Sequence, residues 1–472
     1  MASNKHDRCS GPITRRRFLT AGSLGVSGMG LADVMRLRAQ AAPGLTAAPD
    51  TSFLFVWLPG GPPHMEMYDM KPDAPADYRG IFNPVSTTVP GLDVCELMPR
   101  HARIAHKYNI VRSISHTFAD HGGGHKRLQT GRKPATPTGT VNDAPATGAI
   151  VSKVREGVRV GLPNYISCAP NGRQGTDVFA FGSAYLGPSY VPFAVPGNPG
   201  AEKFEVKNLG LSRALENRLD DRVALLKGFD NLRRNIDQDG SLGSIDKFNE
   251  QALSLLTSDR ARQAFDLSGE PAHIRDRYGR HCWGNRCLLG RRLIEAGCSF
   301  VTVVLENPYK SGVPSSKQGV YNWDSHAVNC HIFEDAKVRL PIYDQAITGL
   351  VEDIHERGLA DGKLVLVVTG EFGRTPRLTT RRGSRTGVDQ PGRDHWPQAM
   401  SLLATGGGMT NGQVVGSTNS RGEHPRDRAL DPNDLWATVY RHLGIDPEWT
   451  YPDHSGRPMP ILPWGKPISE LV

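Results

Sequence analysis

KLVLVVTGEFGRTP, residues 363–376, runs through five consecutive apolar side chains and ends on a carboxylate bracketed by Gly370 and Gly373. A run this short, bounded by glycine and rich in β-branched valine, reads as a strand buried on both faces of a parallel sheet. The two glycines let the backbone turn sharply, so Glu371 is delivered at the strand's C-terminal end. Upstream, WDSHAVN (323–329) places Asp324 and His326 ahead of VRLPIYDQAITGLVEDIHER (338–357), an amphipathic helical pattern that crosses over into the strand. Downstream, GRDHWP (392–397) supplies Asp394 and His395. Functional groups of open α/β sheets collect at the carboxyl ends of the strands. Carboxylates mixed with imidazoles there are what a metal-assisted hydrolase needs. Arg374, just past the strand end, can meet an anion through two N–H groups.

Working outward, FLFVWL (53–58), IVRSI (110–114) and SFVTVVLE (299–306, ending at Glu306) have the same buried-strand character. Shorter runs at 164–168 and 399–404 read as further strands. Helical patterns over 98–108, 285–296 and DPNDLWATVYRHLG (431–444) alternate with them, the last capped by Asp431 ahead of Pro432. This alternation predicts a three-layer α/β/α sandwich with a mostly parallel central sheet. Residues 204–265 are charged and strongly helical, and read as a helical insertion outside the sheet. SHTFADHGGGHKRLQTG (115–131) sets His116, His121 and His125 beside three glycines that suit close approach of an anion to a helix N-terminus. Side chains of Asp324, His326, Glu371 and His395 are expected to converge at one sheet edge, with His121 arriving from another strand.

The net charge of +8 is concentrated at the start of the chain: residues 1–41 carry seven Lys/Arg against two Asp/Glu, which leaves about +3 for the rest. That balance argues against a nucleic-acid role. TRRRFL (14–19), a weakly apolar Gly-rich run and an Ala39-Gln40-Ala41 triplet read as a twin-arginine export signal over 1–41, with one domain over 42–472 and a periplasmic or secreted destination. No later stretch has the length and apolarity of a membrane span. Six cysteines follow the signal and none forms a C-x-x-C pair, so a zinc knuckle is not expected.

The export signal, PGGPPH, HGGGHKRLQTGRKP, WDSH, GEFGRTP and GRDHWP, in that order, resemble the domain-of-unknown-function family numbered 1501, a sulfatase-like group of the alkaline phosphatase superfamily. The resemblance covers nearly the whole mature chain. It implies an alkaline-phosphatase-like fold and a divalent metal, with zinc, calcium or magnesium as the candidate ions. It further implies ligand roles for Glu306, Asp324, His326, Glu371 and His395, and an anionic ester or a sulfated or phosphorylated glycan as substrate. Two departures stand out. The superfamily's nucleophilic Ser or Thr falls on His121, which makes this histidine the catalytic candidate together with Arg374, and the first-strand Asp falls near Pro59. CAPNGR (168–173) is similar to the C-x-P-x-R of sulfatases but has one extra residue and lies too far along the chain.

Two functions remain open on these residues: a metal-dependent hydrolase of phosphate or sulfate esters, and an exported binding or scaffold protein on a degenerate hydrolase fold. A bound ion would favour the first, and a site closed by salt bridges the second. Replacing Arg15 and Arg16 with Lys is expected to retain the precursor in the cytoplasm; normal recovery of that variant from the periplasm would remove the export reading.

Overall fold

The computed structural model describes residues 50–158, 161–204, 258–310 and 316–472. The export signal over 1–41 lies outside them, as do residues 205–257 of the expected helical insertion. Its remainder includes an α-helix at Asp259–Phe265.

In chain order the main elements are β1 (Ser52–Trp57), β2 (Asn109–Ile114), α1 (His121–Thr130), α2 (Thr147–Val154), β3 (Tyr165–Ala169) and β4 (Phe193–Pro196). They continue with α3 (Cys282–Glu295), β5 (Phe300–Val304), α4 (Ile332–Glu356), β6 (Leu364–Thr369), β7 (Met400–Gly406), β8 (Val414–Val415) and α5 (Pro432–His442). The strands form one sheet in the order β8-β2-β7-β6-β1-β5-β3-β4. Every pairing in it is parallel except those of β7, which runs against β2 and β6. The expected strands are present with shifts of a residue or two at their ends. The helix expected over 98–108 is shorter, a turn at Pro99–Arg103 followed by a 3-10 turn. Pro341 lies inside α4, which starts well before the expected position 338, with the His331 side chain accepting from the Glu334 N–H as its cap.

Period-two alternation of the strands builds two cores, one on each face. Leu54 and Val56 of β1 and Leu364, Leu366 and Val368 of β6 pack with Leu288 and Leu293 of α3 and Leu340, Ile347 and Val351 of α4. Phe53, Phe55 and Trp57, with Val365 and Val367, face Leu128 of α1, Ile150 of α2 and Leu435, Trp436 and Val439 of α5. The molecule is therefore a three-layer α/β/α sandwich. Among the described residues no helix is long and apolar enough to cross a membrane.

The parallel strands β1, β2, β5 and β6 deliver their C-terminal ends to one edge. Because β7 runs the other way, its start lies there too, with Met400 opposite Ile114. This places residues just before β7, including His395, beside residues just after β6.

Trp436 carries much of the second core. It is fully buried, edge-on to Phe53 at 5.8 Å and Phe55 at 5.6 Å, and its indole N–H donates to the Leu128 carbonyl. Trp436→Ala is expected to cost about 3–5 kcal/mol in denaturant unfolding; a loss under about 1 kcal/mol would mean that the layer is not packed as described.

Candidate metal centre

The turn after β1 sets the floor of the site. Gly60 has φ +112°, and a Cβ there would strike the Asp324 amide nitrogen at 2.5 Å. Without a side chain, its N–H donates to Glu371 Oε1 at 2.8 Å. Trp323 N–H donates to the Pro59 carbonyl and its indole N–H to the Leu305 carbonyl, so the WDSH segment is pinned across the ends of β1 and β5. A two-residue antiparallel ladder pairs His395 with Arg374 and Trp396 with Gly373.

α1 begins where the sequence placed it. Asp120 caps it by accepting from the Gly122 and Gly123 N–H groups. The three glycines have a different use from the one expected. A Cβ on Gly122 would meet the Gly139 carbonyl at 2.3 Å, on Gly123 the Pro137 carbonyl at 2.2 Å, and on Gly124 the Phe372 ring at 2.9 Å. They make room for a protein loop and a ring instead of an anion.

Four of the expected side chains and His121 converge. His121 Nδ1–H donates to Glu371 Oε1 at 2.8 Å, and its Nε2 lies 3.4 Å from Asp324 Oδ1. The Nε2 atoms of His326 and His395 each lie 3.1 Å from that same oxygen and 2.9 Å from one another. The two outer ring nitrogens are anchored. His395 Nδ1 faces the Ala119 carbonyl at 2.6 Å, and His326 Nδ1 faces Asp394 Oδ1 at 2.6 Å. A carbonyl or carboxylate oxygen only accepts, so both Nδ1 atoms carry a proton; in the neutral rings both Nε2 atoms are then lone pairs, and only a doubly protonated ring donates from Nε2 to Asp324 Oδ1.

Besides Asp324, His326 and His395, two sets of side chains offer ligand atoms that all lie within 4.8 Å of one another among the described residues: His121, Asp324 and His395, and His121, His125 and Glu371. His125, grouped only generally with its neighbouring histidines by the sequence, is therefore part of the site. Its Nδ1 and the Glu371 Oε2 are 3.7 Å apart, both buried, and neither has a hydrogen-bond partner among the described residues. His116, the third of these histidines, donates from Nε2 to the Glu371 carbonyl at 2.6 Å and fixes the turn.

The remaining expected residues are placed differently. The Arg374 side chain is fully buried and donates to the carbonyls of Gly60, Gly61 and Arg393 and to Asp324 Oδ1 at 2.7 Å. Its donors are committed to the protein, so it positions Asp324 and cannot clamp a substrate anion. Glu306 is buried at the end of β5 with Oε1 2.7 Å from Arg173 Nε, and belongs to none of these ligand sets. Cys168 is buried and its thiol is pushed up to about 12 by desolvation, which leaves no thiolate nucleophile there.

The charges of the site oppose its burial. Desolvation is the largest influence on Asp324 and favours its neutral form, yet the facing His121, His326 and His395 rings and the Arg374 charge hold it far below the carboxylate range. Glu371 behaves alike: burial raises it, but His125 and His121 bring it to about 2. For His121 desolvation lowers the pKa, and its bonds to Asp324 and Glu371 outweigh that and raise it to about 9. His125 is lowered to about 4, chiefly by burial.

Residues 50–472 match the family described as "Protein of unknown function (DUF1501)". The chain belongs to this family. No curated protein matches it. Solved structures similar to this DUF1501 chain include the lipoteichoic acid synthase LtaP from Listeria monocytogenes, at 11% identity over 85% of this chain and 74% of that one, with a TM-score of 0.35. The PsFucS1 sulfatase from Pseudoalteromonas sp. is 14% identical over 90% of this chain and 72% of that one, at a TM-score of 0.31. A mutant alkaline phosphatase from the Antarctic bacterium TAB5, with Mg bound in its M3 site, is 10% identical over 84% of this chain and 98% of that one, at 0.35. Overlaps of this size transfer no activity, substrate or ion to the DUF1501 chain.

The protonation of His121 gives a test. Its pKa is 6.5 in the unfolded chain and about 9 in the folded one. The stability it contributes is whole below pH 6.5 and is lost as the pH rises through about 9. Metal-free protein should therefore melt at progressively lower temperature between those values, and His121→Gln should flatten that slope. An unchanged slope in the variant would remove the bridging imidazolium.

Proposed function

We propose that the chain is a metal-dependent hydrolase of phosphate or sulfate esters that works in the cell envelope. One observation supports this most strongly: two imidazole Nε2 atoms with fixed lone pairs stand 2.9 Å apart over a shared carboxylate oxygen. Lone pairs that close repel one another, and a divalent cation between them turns the repulsion into ligation. The donor set of two imidazoles and a carboxylate suits zinc, and the carboxylates in reach also serve harder ions. The unpartnered Glu371 Oε2 and His125 Nδ1 extend the polar cavity next to it. Asp324, His326 and His395 would hold the ion, with Asp394 and the Ala119 carbonyl orienting the two rings from behind.

An ion at this place supplies polarisation of the ester oxygens and eases ionisation of water. The chain's own residues supply the proton transfer. Glu371, fixed by the Gly60 N–H, holds one His121 proton at Nδ1; an ion on Asp324 would displace to solvent the second proton, which faces that carboxylate from Nε2, and so free Nε2 to accept a proton from attacking water. This division of labour removes the need for the Ser or Thr nucleophile that the superfamily places at position 121. A single feature favours the alternative of a non-catalytic binding protein: Arg374 Nη2 already occupies Asp324 Oδ1 at 2.7 Å, as in a closed polar network.

Elemental analysis together with a screen of aryl phosphate and aryl sulfate esters distinguishes the two. The hydrolase reading predicts bound metal in the wild type, loss of metal in Asp324→Asn, and a 10²–10⁴-fold drop in turnover with metal retained in Glu371→Gln. Loss of metal in Glu371→Gln would instead put Glu371 among the ligands. Wild-type protein that holds no ion and cleaves neither ester class would contradict the proposal.

A further inference from the structure

The CAPNGR turn that leaves β3 ends on Arg173, an arginine unlike the committed Arg374. Its Nε faces Glu306 Oε1 at 2.7 Å, and its Cζ lies 5.2 Å from the ring centroid of Phe179 and 5.2 Å from that of Tyr321. The guanidinium is thus fixed from behind by a buried carboxylate and flanked by two rings. Its side chain is nevertheless 36% exposed, and neither Nη atom meets an acceptor among the described residues. Phe179 has no exposed surface and stands edge-on to His125 at 5.9 Å, and His125 faces Glu371. Tyr321 is 46% exposed and lies three residues before Asp324. A planar cation whose Nη atoms meet no acceptor among the described residues, set one ring away from the candidate metal centre, can turn a parallel pair of N–H groups to two oxygens of one oxyacid.

We propose that Arg173 and Tyr321 form the specificity subsite of this centre: Arg173 takes a pair of anionic oxygens of the substrate, and Tyr321 carries the adjoining sugar ring. This rests on the hydrolase reading for the word substrate, while the anion-binding property stands on the geometry alone. Glu306, expected to bind metal, acts here as the positioning residue that aims the guanidinium. The shared chemistry is a bidentate oxyacid, which can be the reacting ester group itself or an acidic group on the neighbouring sugar. A carboxylate on that sugar and a sulfate at the centre separate the two sources.

Calorimetric titration of metal-loaded wild type and Arg173→Gln with inorganic sulfate and with glucuronate tests this. At least a tenfold loss of affinity for one or both probes in the variant is expected, since two charge-assisted hydrogen bonds are removed. Loss for sulfate assigns Arg173 to the ester group, and loss for glucuronate alone assigns it to the neighbouring acid. Arg173→Lys should recover only part of the affinity, because it restores the charge without the fork. Because Arg173→Gln removes the cation that faces buried Glu306, the double variant Arg173→Gln/Glu306→Gln, which neutralises the pair at similar shape, is measured alongside. Tyr321→Ala should weaken glucuronate more than sulfate. Equal binding by wild type and both glutamine variants, or no binding of either probe by the wild type, overturns the subsite. Metal content, read on the same samples, reports separately on the hydrolase reading: an ion-free protein that still loses anion affinity with Arg173 would keep the subsite and discard the metal.

Discussion

One oxygen atom, Oδ1 of Asp324, meets Arg374 at 2.7 Å, His326 and His395 at 3.1 Å and His121 at 3.4 Å. Four nitrogen groups around a single acceptor at 17% side-chain exposure demand a concentration of positive charge that neutral imidazoles do not provide. In metal-free protein the His121 proton supplies part of it, shared between Asp324 and Glu371. A divalent ion among the Nε2 atoms would supply the rest. The architecture around the site then follows as the means of bringing four chain segments to that one atom.

The sheet does this by direction. Parallel β1, β2, β5 and β6 lead into the Gly60 turn, the Asp120 cap of α1, the WDSH segment and Glu371. The single reversed strand, β7, brings His395 to the same edge from its N-terminal side. The backbone takes part as well: Gly60 donates to Glu371, and its carbonyl and that of Gly61 hold Arg374. At the end of the first strand these peptide groups take the place of side chains: they accept from the arginine and donate to the carboxylate.

Much of this was legible in the sequence, for physical reasons. Strands buried on both faces write themselves as continuous apolar runs, so 53–58, 110–114 and 364–369 were found within a residue or two. Strand-end placement then located Glu371, Asp324, His326 and His395. What the sequence hid were partnerships set by packing. Arg374 looks like an anion clamp beside GEFG, but only the fold shows its donors committed to three carbonyls and Asp324. Glu306 ends a strand as a ligand would, yet it faces Arg173, more than a hundred residues away. The glycines of HGGGH look like an anion cradle, and their actual neighbours are the 137–139 loop and Phe372. His125 could be noticed one helical turn from His121, but its approach to Glu371 required the register of α1 against the turn after β6.

X-ray absorption at the metal edge of zinc-loaded protein tests the centre most directly. The expected scatterers nearest the zinc include two or more imidazole nitrogens at about 2.0–2.1 Å together with a carboxylate oxygen, with loss of the imidazole signal in His326→Ala/His395→Ala. A spectrum like that of hydrated zinc, or an imidazole signal unchanged in the double variant, would contradict it.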